Sequence, residues 1–287
     1  MAKLVWDATG EKQYESGVDH GVLYLRNSTG EYNNGVVWNG LTAVTESPSG
    51  AESNPQYADN IKYLNLVSAE EFSATVEAYT YPDEFAECDG SVEIVDGVII
   101  GQQARKTFGL SYRTKVGNDV AGQDAGYKLH LVWGALAAPS EKAYSTINDS
   151  PEAITFSWEL STTPVSVTGL KPTASITLNS LKADSEKLAD LEAILYGSDE
   201  GSGVAPRLPS PDEVIQLLGG TFATATAPSR TGNTVTIPTV TGVVYSINGT
   251  PVTGSVTITE NTTVTAAAAE GYALTPGTNS WTYPFTP

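Results

Sequence analysis

Apolar and polar residues alternate repeatedly along the first 180 residues of the chain. Residues 72–78, 127–133 and 154–160 show the pattern most clearly, with aromatic and aliphatic side chains at every second position. Because successive side chains of a β-strand point to opposite faces, each segment predicts a strand with one buried face. Several such strands predict a mainly β protein built as a sandwich or barrel.

Two helices are predicted after these strands. The first has leucines three and four positions apart, Asp184 placed as its N-cap and Gly197 placed to end it. The second begins with Ser210 at the N-cap and Pro211 at the first helical position. Both apolar stripes are typical of helices that pack on a core, so the fold class is mainly β with a flanking α-helix.

Residues 45–60 separate two predicted strands and are rich in Pro, Gly, Ser and Asn, which favours a long loop without regular structure. Loops of this length inside a compact domain are typically functional, and Tyr57 gives this one an apolar side chain for a partner. We therefore predict an assembly loop, mobile over residues 47–60 in the free subunit, with a tolerated surface loop as the alternative. The candidate contact residues are Glu46, Ser47, Pro48, Glu52, Asn54, Tyr57, Asp59 and Asn60.

The net charge of −18 is unevenly distributed along the chain. Residues 221–287 contain only Arg230, Glu260 and Glu270 as charged residues, a net of 1 − 2 = −1, so −17 lies in residues 1–220. This break predicts one domain over residues 1–219 and another over residues 220–287. The second is rich in Thr and Val and contains an Asn-Gly turn signal, a pattern typical of a small immunoglobulin-like sandwich.

The sequence offers little catalytic or metal chemistry. Cys88 is the single cysteine and His20 and His130 are the only histidines, so neither a zinc site nor another metal site is predicted. His20 follows Asp19, but neighbours on a strand point to opposite faces and should not pair well. His130 falls on the polar face of its strand. Residues 83–97 miss the spacing of a calcium loop and are interpreted as a solvated hairpin edge.

The acidity of the chain also limits its partners. A protein this negative repels phosphate backbones and anionic lipid, which disfavours specific nucleic-acid binding and membrane binding. The longest apolar stretch, residues 131–138, is too short to span a bilayer. We predict a soluble protein that is not an enzyme and has no cofactor.

Four long stretches carry the most distinctive sequence: GLTAVTESPSGAESNPQYADNIKYLNL, EEFSATVEAYTYPDEFAECDG, LKPTASITLNS with LADLEAILYG, and RLPSPDEVI. In this order and spacing they resemble the major tail proteins of long-tailed bacteriophages, over essentially residues 1–219. Near the C-terminus, VTAAAAEGYAL and NSWTYPF are similar to the immunoglobulin-like additions of some phage tail and capsid proteins.

The resemblance implies a tail-tube β-sandwich with a flanking helix, hexameric rings and a loop that bridges successive rings. The implied partners are further copies of the chain, the tape-measure protein and the tail-end proteins, while phage DNA passes through a negative lumen without specific binding. The implied location is the virion tail, after synthesis in the host cytoplasm. Residues 220–287 would decorate the outside of the tube and make weak contact with the host surface.

Two alternatives stay open beside the tail tube. A tube ring of a contractile injection or secretion system would show the same strand pattern. A carbohydrate-binding surface module is suggested by the aromatic residues Trp281 and Tyr283, although aromatic residues at alternating positions are more typical of a core.

Overall fold

The computed structural model of the protein describes residues 4–147, 149–150, 152–199, 203–275 and 277–286. It divides into two compact units. The first comprises Met1–Val165 and Thr173–Pro209, and the second comprises Ser166–Pro172 and Ser210–Pro287. The second predicted helix therefore belongs with the second unit, although it precedes the change in composition at residues 219–220.

The first unit is built mainly from β-strands. In chain order they are β1 (Tyr14–Arg26), β2 (Tyr32–Trp38), β3 (Leu41–Glu46), β4 (Ser49–Gly50), β5 (Ser53–Ala58), β6 (Ile61–Val67), β7 (Glu70–Glu71), β8 (Ser73–Ala78), β9 (Val92–Val95), β10 (Val98–Ile100), β11 (Phe108–Asn118), β12 (Gly122–Ala137), β13 (Phe156–Thr162) and β14 (Ser175–Asn179). The unit also contains a 3₁₀ helix at Asp83–Glu87 and helix α1 at Ser185–Tyr196.

Eight of these strands form one large sheet with antiparallel pairing. Its order is β2-β1-β11-β12-β13-β8-β3, and β14 pairs with β12 beside that path. Strands make up 49% of the chain and helices 9%. The predicted fold class, mainly β with a flanking helix, is confirmed.

One side of the large sheet encloses a core rich in aromatic side chains. Trp38, Phe85, Phe108 and Trp158 are all buried there. The ring centroid of Phe85 lies 4.6 Å from that of Trp38, 5.2 Å from that of Trp158 and 5.5 Å from that of Phe108. Tilted and edge-on rings at these distances attract one another beyond their burial of apolar area. The alternating strands β8 and β13 therefore bury the faces that the sequence predicts.

Strand β12 changes its pairing partner in the middle. Residues 128–132 pair with β14, and residues 135–137 pair with β13. Gly134 lies between them with a φ of 64°, and a Cβ at this position would lie 2.3 Å from the backbone oxygen of Thr163. Glycine is required here because only glycine adopts this backbone conformation freely and leaves that space.

Helix α1 packs on the face of the sheet opposite the aromatic core. Leu23 points into the core, whereas the next residue, Tyr24, donates its hydroxyl to the backbone oxygen of Leu195 at 2.9 Å. The leucine stripe of the helix is buried, as its spacing predicts. Asp184 is the N-cap and accepts hydrogen bonds from two backbone N–H groups, and Gly197 ends the helix with a φ of 83°. Both cap predictions are confirmed.

The second unit combines a short helix with small sheets. Its elements are α2 (Pro211–Leu217), β15 (Thr221–Ala223), β16 (Ser229–Thr231), β17 (Thr234–Ile237), β18 (Val243–Ile247), β19 (Thr250–Pro251), β20 (Gly254–Thr257), β21 (Thr262–Ala268), β22 (Tyr272–Leu274) and β23 (Ser280–Tyr283). The sheets are β16-β17-β20, β19-β18-β21-β23 and the parallel pair β15-β22. Their apolar faces share one buried cluster, as in a small sandwich.

Local signals in the second unit are also confirmed. The hydroxyl of Ser210 accepts a hydrogen bond from the Glu213 N–H at 3.3 Å, and Pro211 occupies the first turn of α2. Asn248 and Gly249 have positive φ values and form the turn between β18 and β19. None of the helices in the described residues has both the length and the hydropathy needed to cross a membrane.

Candidate assembly interface

Residues 49–71 form an arm that pairs with itself rather than with the large sheet. At its base β4 pairs with β7, and further out β5 pairs antiparallel with β6. Every residue of β6 is exposed. We call residues 49–71 the arm. It presents both backbone edges and apolar side chains to the surroundings.

The arm corrects the prediction of an irregular loop over residues 45–60. The segment IKYLNLV that follows supplies a partner strand, and Asp59 and Asn60 form a two-residue turn with φ values of 51° and 62°. Hairpins with two-residue turns of this kind need positive φ at both positions, which Asp and Asn tolerate. Pro55 is accommodated because β5 has a single neighbour and lies at an edge. The Pro, Gly, Ser and Asn residues of this segment therefore lie in short strands, at strand ends or in the turn, and they do not form an irregular loop.

The eight candidate contact residues do not form one cluster: three precede the arm and five lie at different points along it. Ser47 is tied to the large sheet, because its N–H donates to the backbone oxygen of Ser73 at 2.8 Å. Tyr57 is 71% exposed near the tip, where Asp59 and Asn60 form the turn. The other four lie at the base or between these points: Glu46, Pro48, Glu52 and Asn54.

Glu46 anchors the base of the arm. Its carboxylate accepts the hydroxyl of Tyr112 at 2.6 Å and lies 3.2 Å from Nδ1 of His130. The rings of Tyr112 and His130 are stacked, with centroids 4.6 Å apart and planes 4° apart. Burial raises the pKa of Tyr112, and the neighbouring carboxylate raises it further. The Tyr112 hydroxyl therefore stays protonated and keeps donating to Glu46.

His130 is buried, which corrects the prediction that it lies on a polar strand face. Residues 129–135 of β12 are all buried, because this part of the strand is covered on both faces. The ring nitrogens of His130 lie 3.0 Å from Oγ1 of Thr114 and 3.3 Å from Oγ1 of Thr177. Burial lowers the pKa of His130 by more than the nearby Glu46 raises it. The imidazole is therefore neutral at pH 7.

Asp19 and His20 are paired, so the prediction that these neighbours cannot pair is wrong. His20 has a φ of 52° at an irregularity of β1, where the register against β11 shifts between Asp19 and Val22. Nδ1 of His20 lies 2.8 Å from Oδ1 of Asp19. Arg113 lies beside the pair, with its Nε 3.3 Å from Asp19 and its Nη1 3.7 Å from Glu192 of α1. The cluster joins the sheet to the helix through ion pairs.

A cavity of about 830 Å³ lies beside the 3₁₀ helix. The Asp89 carboxylate in its wall lies 2.6 Å from Nζ of Lys142 and 3.5 Å from Nη1 of Arg105. Burial alone would lower the pKa of Lys142, but its hydrogen bond to Asp89 and the negative charge of that carboxylate together raise it above its usual value. Asp89, Lys142 and Arg105 thus form an ion-pair cluster in the cavity wall. Among the described residues, no group of three or more His, Cys, Asp or Glu side chains could hold a metal ion.

A second exposed hairpin, β9–β10, was not recognised as a contact surface in the sequence. We call residues 92–100 the apolar hairpin. Six of its side chains are at least 40% exposed: Val92, Ile94, Val95, Val98, Ile99 and Ile100. The segment VEIVDGVII does carry an Asp-Gly turn signal between apolar runs, which is typical of a hairpin. The preceding residues differ from the predicted solvated edge, since Asp83–Glu87 is a 3₁₀ helix with Phe85 buried.

The described residues thus offer two exposed hairpins of the first unit as contact surfaces. The polar clusters at Glu46, Arg113 and Asp89 hold elements together, and their charged groups find hydrogen-bond or ion-pair partners inside the unit. No family model matches the chain, and no curated protein is significantly similar to it in sequence.

Proposed function

We propose that this protein is the structural subunit of a bacteriophage tail tube, assembling with copies of itself as stacked, six-membered rings. The observation that carries the proposal is the arm, which leaves the large sheet and exposes tyrosine, leucine and valine side chains along β6. A two-stranded hairpin without further packing is only marginally stable in water. The arm therefore calls for a partner surface, which a neighbouring subunit supplies in a ring stack.

The edges of the large sheet support ring formation. Among the described strands, β3 pairs only with β8, and β14 pairs only with β12. A strand with one neighbour leaves a row of backbone N–H and C=O groups for a strand of another chain. The outer edge of β2, in contrast, is bridged to Leu208 of the same unit. We propose that β3 and β14 provide the edges between subunits of one ring.

The acidity of the first 220 residues supports passage of DNA without specific binding. A retained phosphate contact would add friction in every ring, whereas a net-negative wall avoids such contacts. We propose that part of this charge lines the lumen. Assembled tubes should therefore fail to retain duplex DNA even at low ionic strength, measured by co-sedimentation. Retention that weakens steeply with added salt would indicate a basic lumen and contradict the proposal.

The second unit fits an appendage on the outside of the tube better than a sugar-binding module. Trp281 and Tyr283 pack against the core of this unit, and the Tyr283 hydroxyl donates to Pro228 O at 2.5 Å. Rings held in this way do not form a free aromatic platform. We propose that the unit decorates the tube and makes weak contact with the host surface. Deleting residues 210–287 should leave tube assembly intact.

A tube ring of a contractile injection or secretion system remains the second candidate, since the arm and the sheet edges support it equally. Such a tube is surrounded by a sheath, and a tail tube of a long-tailed phage is bare. Binding of the tape-measure and tail-end proteins is proposed for both cases.

The first experiment is negative-stain electron microscopy of the purified protein over a wide concentration range. Hollow tubes or rings of constant diameter are expected, and monomers at every concentration would contradict the proposal of self-assembly. A variant with residues 53–67 replaced by a short Gly-Ser linker should lose the tubes while its circular dichroism stays that of a folded β protein. Val37→Ser is the matched control, since Val37 is a similarly exposed residue on β2.

A further inference from the structure

The arm and the apolar hairpin lie at opposite ends of the same strand pair. Strands β3 and β8 are antiparallel, with Glu46 opposite Ala74 at one end and Leu41 opposite Ala78 at the other. The arm connects β3 to β8 at the Glu46 end. The apolar hairpin follows β8 at the Ala78 end.

The residues that line the neighbouring cavity show where the apolar hairpin lies. Glu93 and Ile99 of the hairpin line this cavity together with Thr80, Tyr81 and Phe156. Phe156 pairs with Ala78, so the hairpin lies next to that end of β8. Six strand residues span about 20 Å, which separates the two hairpins along the strand direction.

Each of the two hairpins exposes six large apolar side chains. The arm exposes Tyr57, Ile61, Tyr63, Leu64, Leu66 and Val67. Together with the six exposed residues of the apolar hairpin, these side chains expose on the order of 1,200 Å² over both faces of the two hairpins, and one contact would bury the part that lies on the facing sides. Neither surface is covered by the unit that carries it, although monomeric proteins rarely expose large contiguous apolar patches.

The charges of the two hairpins are compatible with contact. The arm contains Lys62 and four acidic residues, a net of 1 − 4 = −3, but the acidic Glu52, Glu70 and Glu71 lie at its base, and its outer part, residues 53–67, contains only Asp59 and Lys62, a net of 1 − 1 = 0. The apolar hairpin contains Glu93 and Asp96 and no basic residue. Lys62 therefore gives the outer part of the arm a positive charge that complements the acidic apolar hairpin, whereas the apolar hairpins of two copies would repel each other.

We propose that the arm of one copy docks on the apolar hairpin of a second copy. This deepens the proposed function, on which it rests, by naming the surface that receives the arm. The contact is heterologous, because two different surfaces meet: one copy keeps its apolar hairpin free and the other keeps its arm free. Since the surfaces lie at opposite ends of β8, these free surfaces allow the same contact to repeat from copy to copy along the strand direction, as a stack of rings requires.

Site-directed cross-linking tests the contact on the full chain. Tyr63→Cys places a thiol on the arm, and Ile99→Cys places one on the apolar hairpin. The native Cys88 can remain, because its thiol is buried and burial raises its pKa to about 12, which suppresses its reaction with maleimides. The two variants are mixed with a short bis-maleimide, and dimers are measured on denaturing gels.

The mixture should give a covalent dimer whose linked peptides join positions 63 and 99. Docked thiols have an effective concentration near millimolar, so its yield should exceed by at least about tenfold that of a mixture of Tyr63→Cys with Val37→Cys. Competition provides a second readout: excess wild-type protein without added thiols should lower the yield of the 63–99 dimer, whereas a protein that carries both Ile99→Glu and the Gly-Ser replacement of residues 53–67 should not, since it lacks both docking surfaces.

Equal yields in the Val37→Cys control, or dimers formed as readily by either variant alone, would overturn the docking contact. Electron microscopy of the same samples tests the tail-tube proposal independently of the cross-link. Tubes without the 63–99 link would keep the tail-tube proposal and reject this interface. A 63–99 link in samples without rings or tubes would keep the interface and count against the tube.

Discussion

Replacing Phe85 with alanine should remove the centre of the aromatic core. Phe85 is fully buried although it lies on a 3₁₀ helix outside the large sheet. Its ring contacts those of Trp38, Trp158 and Phe108, and a fourth ring, that of Tyr81, lies 6.1 Å away. The side chain therefore fastens the segment after β8 to the sheet.

The expected loss of stability follows from these contacts. Phe-to-Ala changes in cores cost about 3–5 kcal/mol, because apolar burial is lost and a cavity remains. Four neighbouring rings place Phe85 near the upper part of that range, since each aromatic pair contributes about 0.5–1.5 kcal/mol beyond burial. Phe85→Leu keeps most of the volume and should cost about 1–2 kcal/mol. Tyr79→Ala, at an exposed position next to the same ladder, should cost less than about 0.5 kcal/mol.

Urea unfolding followed by tryptophan fluorescence measures these differences. Trp38 and Trp158 adjoin Phe85 and report the unfolding of the first unit directly. The free energy of unfolding should fall in the order wild type, Phe85→Leu, Phe85→Ala. A loss below about 1 kcal/mol for Phe85→Ala would show that the 3₁₀ helix is not part of the cooperative core, and would refute the reasoning.

Three further predictions concern single residues. Asp184→Ala removes the acceptor for two backbone N–H groups of α1 and should lower the free energy of unfolding by about 1 kcal/mol, measured by urea unfolding. Gly134→Ala should cost more than about 3 kcal/mol because its Cβ meets a backbone oxygen, whereas Gly122→Ala, with similar φ and open space, should cost about 1 kcal/mol in the same assay; equal losses would refute the steric account. Burial keeps the pKa of His130 below its unfolded value, so the folded state binds fewer protons and stability falls as pH drops below about 6.5. His130→Gln should flatten the fall in melting temperature between about pH 7 and 5.

Much of the local structure follows from short-range signals. The strands β8 and β13 have the predicted buried faces, because alternation at a period of two depends only on which side is covered. The caps of α1 and α2 follow from residues within one turn of each helix end. These features are decided by neighbours in sequence, and the sequence was sufficient to predict them.

Other features depend on partners that are distant in sequence. Residues 45–60 have the composition of a loop, but pairing with 61–67 makes residues 53–60 one half of a hairpin with its turn. His130 lies between Leu129 and Leu131, so the alternation predicts a polar strand face, yet strands on either side and Tyr112 bury it. Asp19 and His20 pair because a bulge, set by the register against β11, reverses one side chain. Neither the spacing of apolar residues along a segment nor its amino-acid composition shows which distant strand it will pair with.

The sequence by itself determined a mainly β protein with a flanking helix, a strongly acidic first part and a weakly charged second part. Only the tertiary structure decided where Phe85 lies and that the arm and the apolar hairpin project from opposite ends of β8. The physical reason is that burial is a property of the whole packed unit. An apolar residue such as Ile99 has the same hydropathy whether the fold covers it or leaves it 62% exposed, as here.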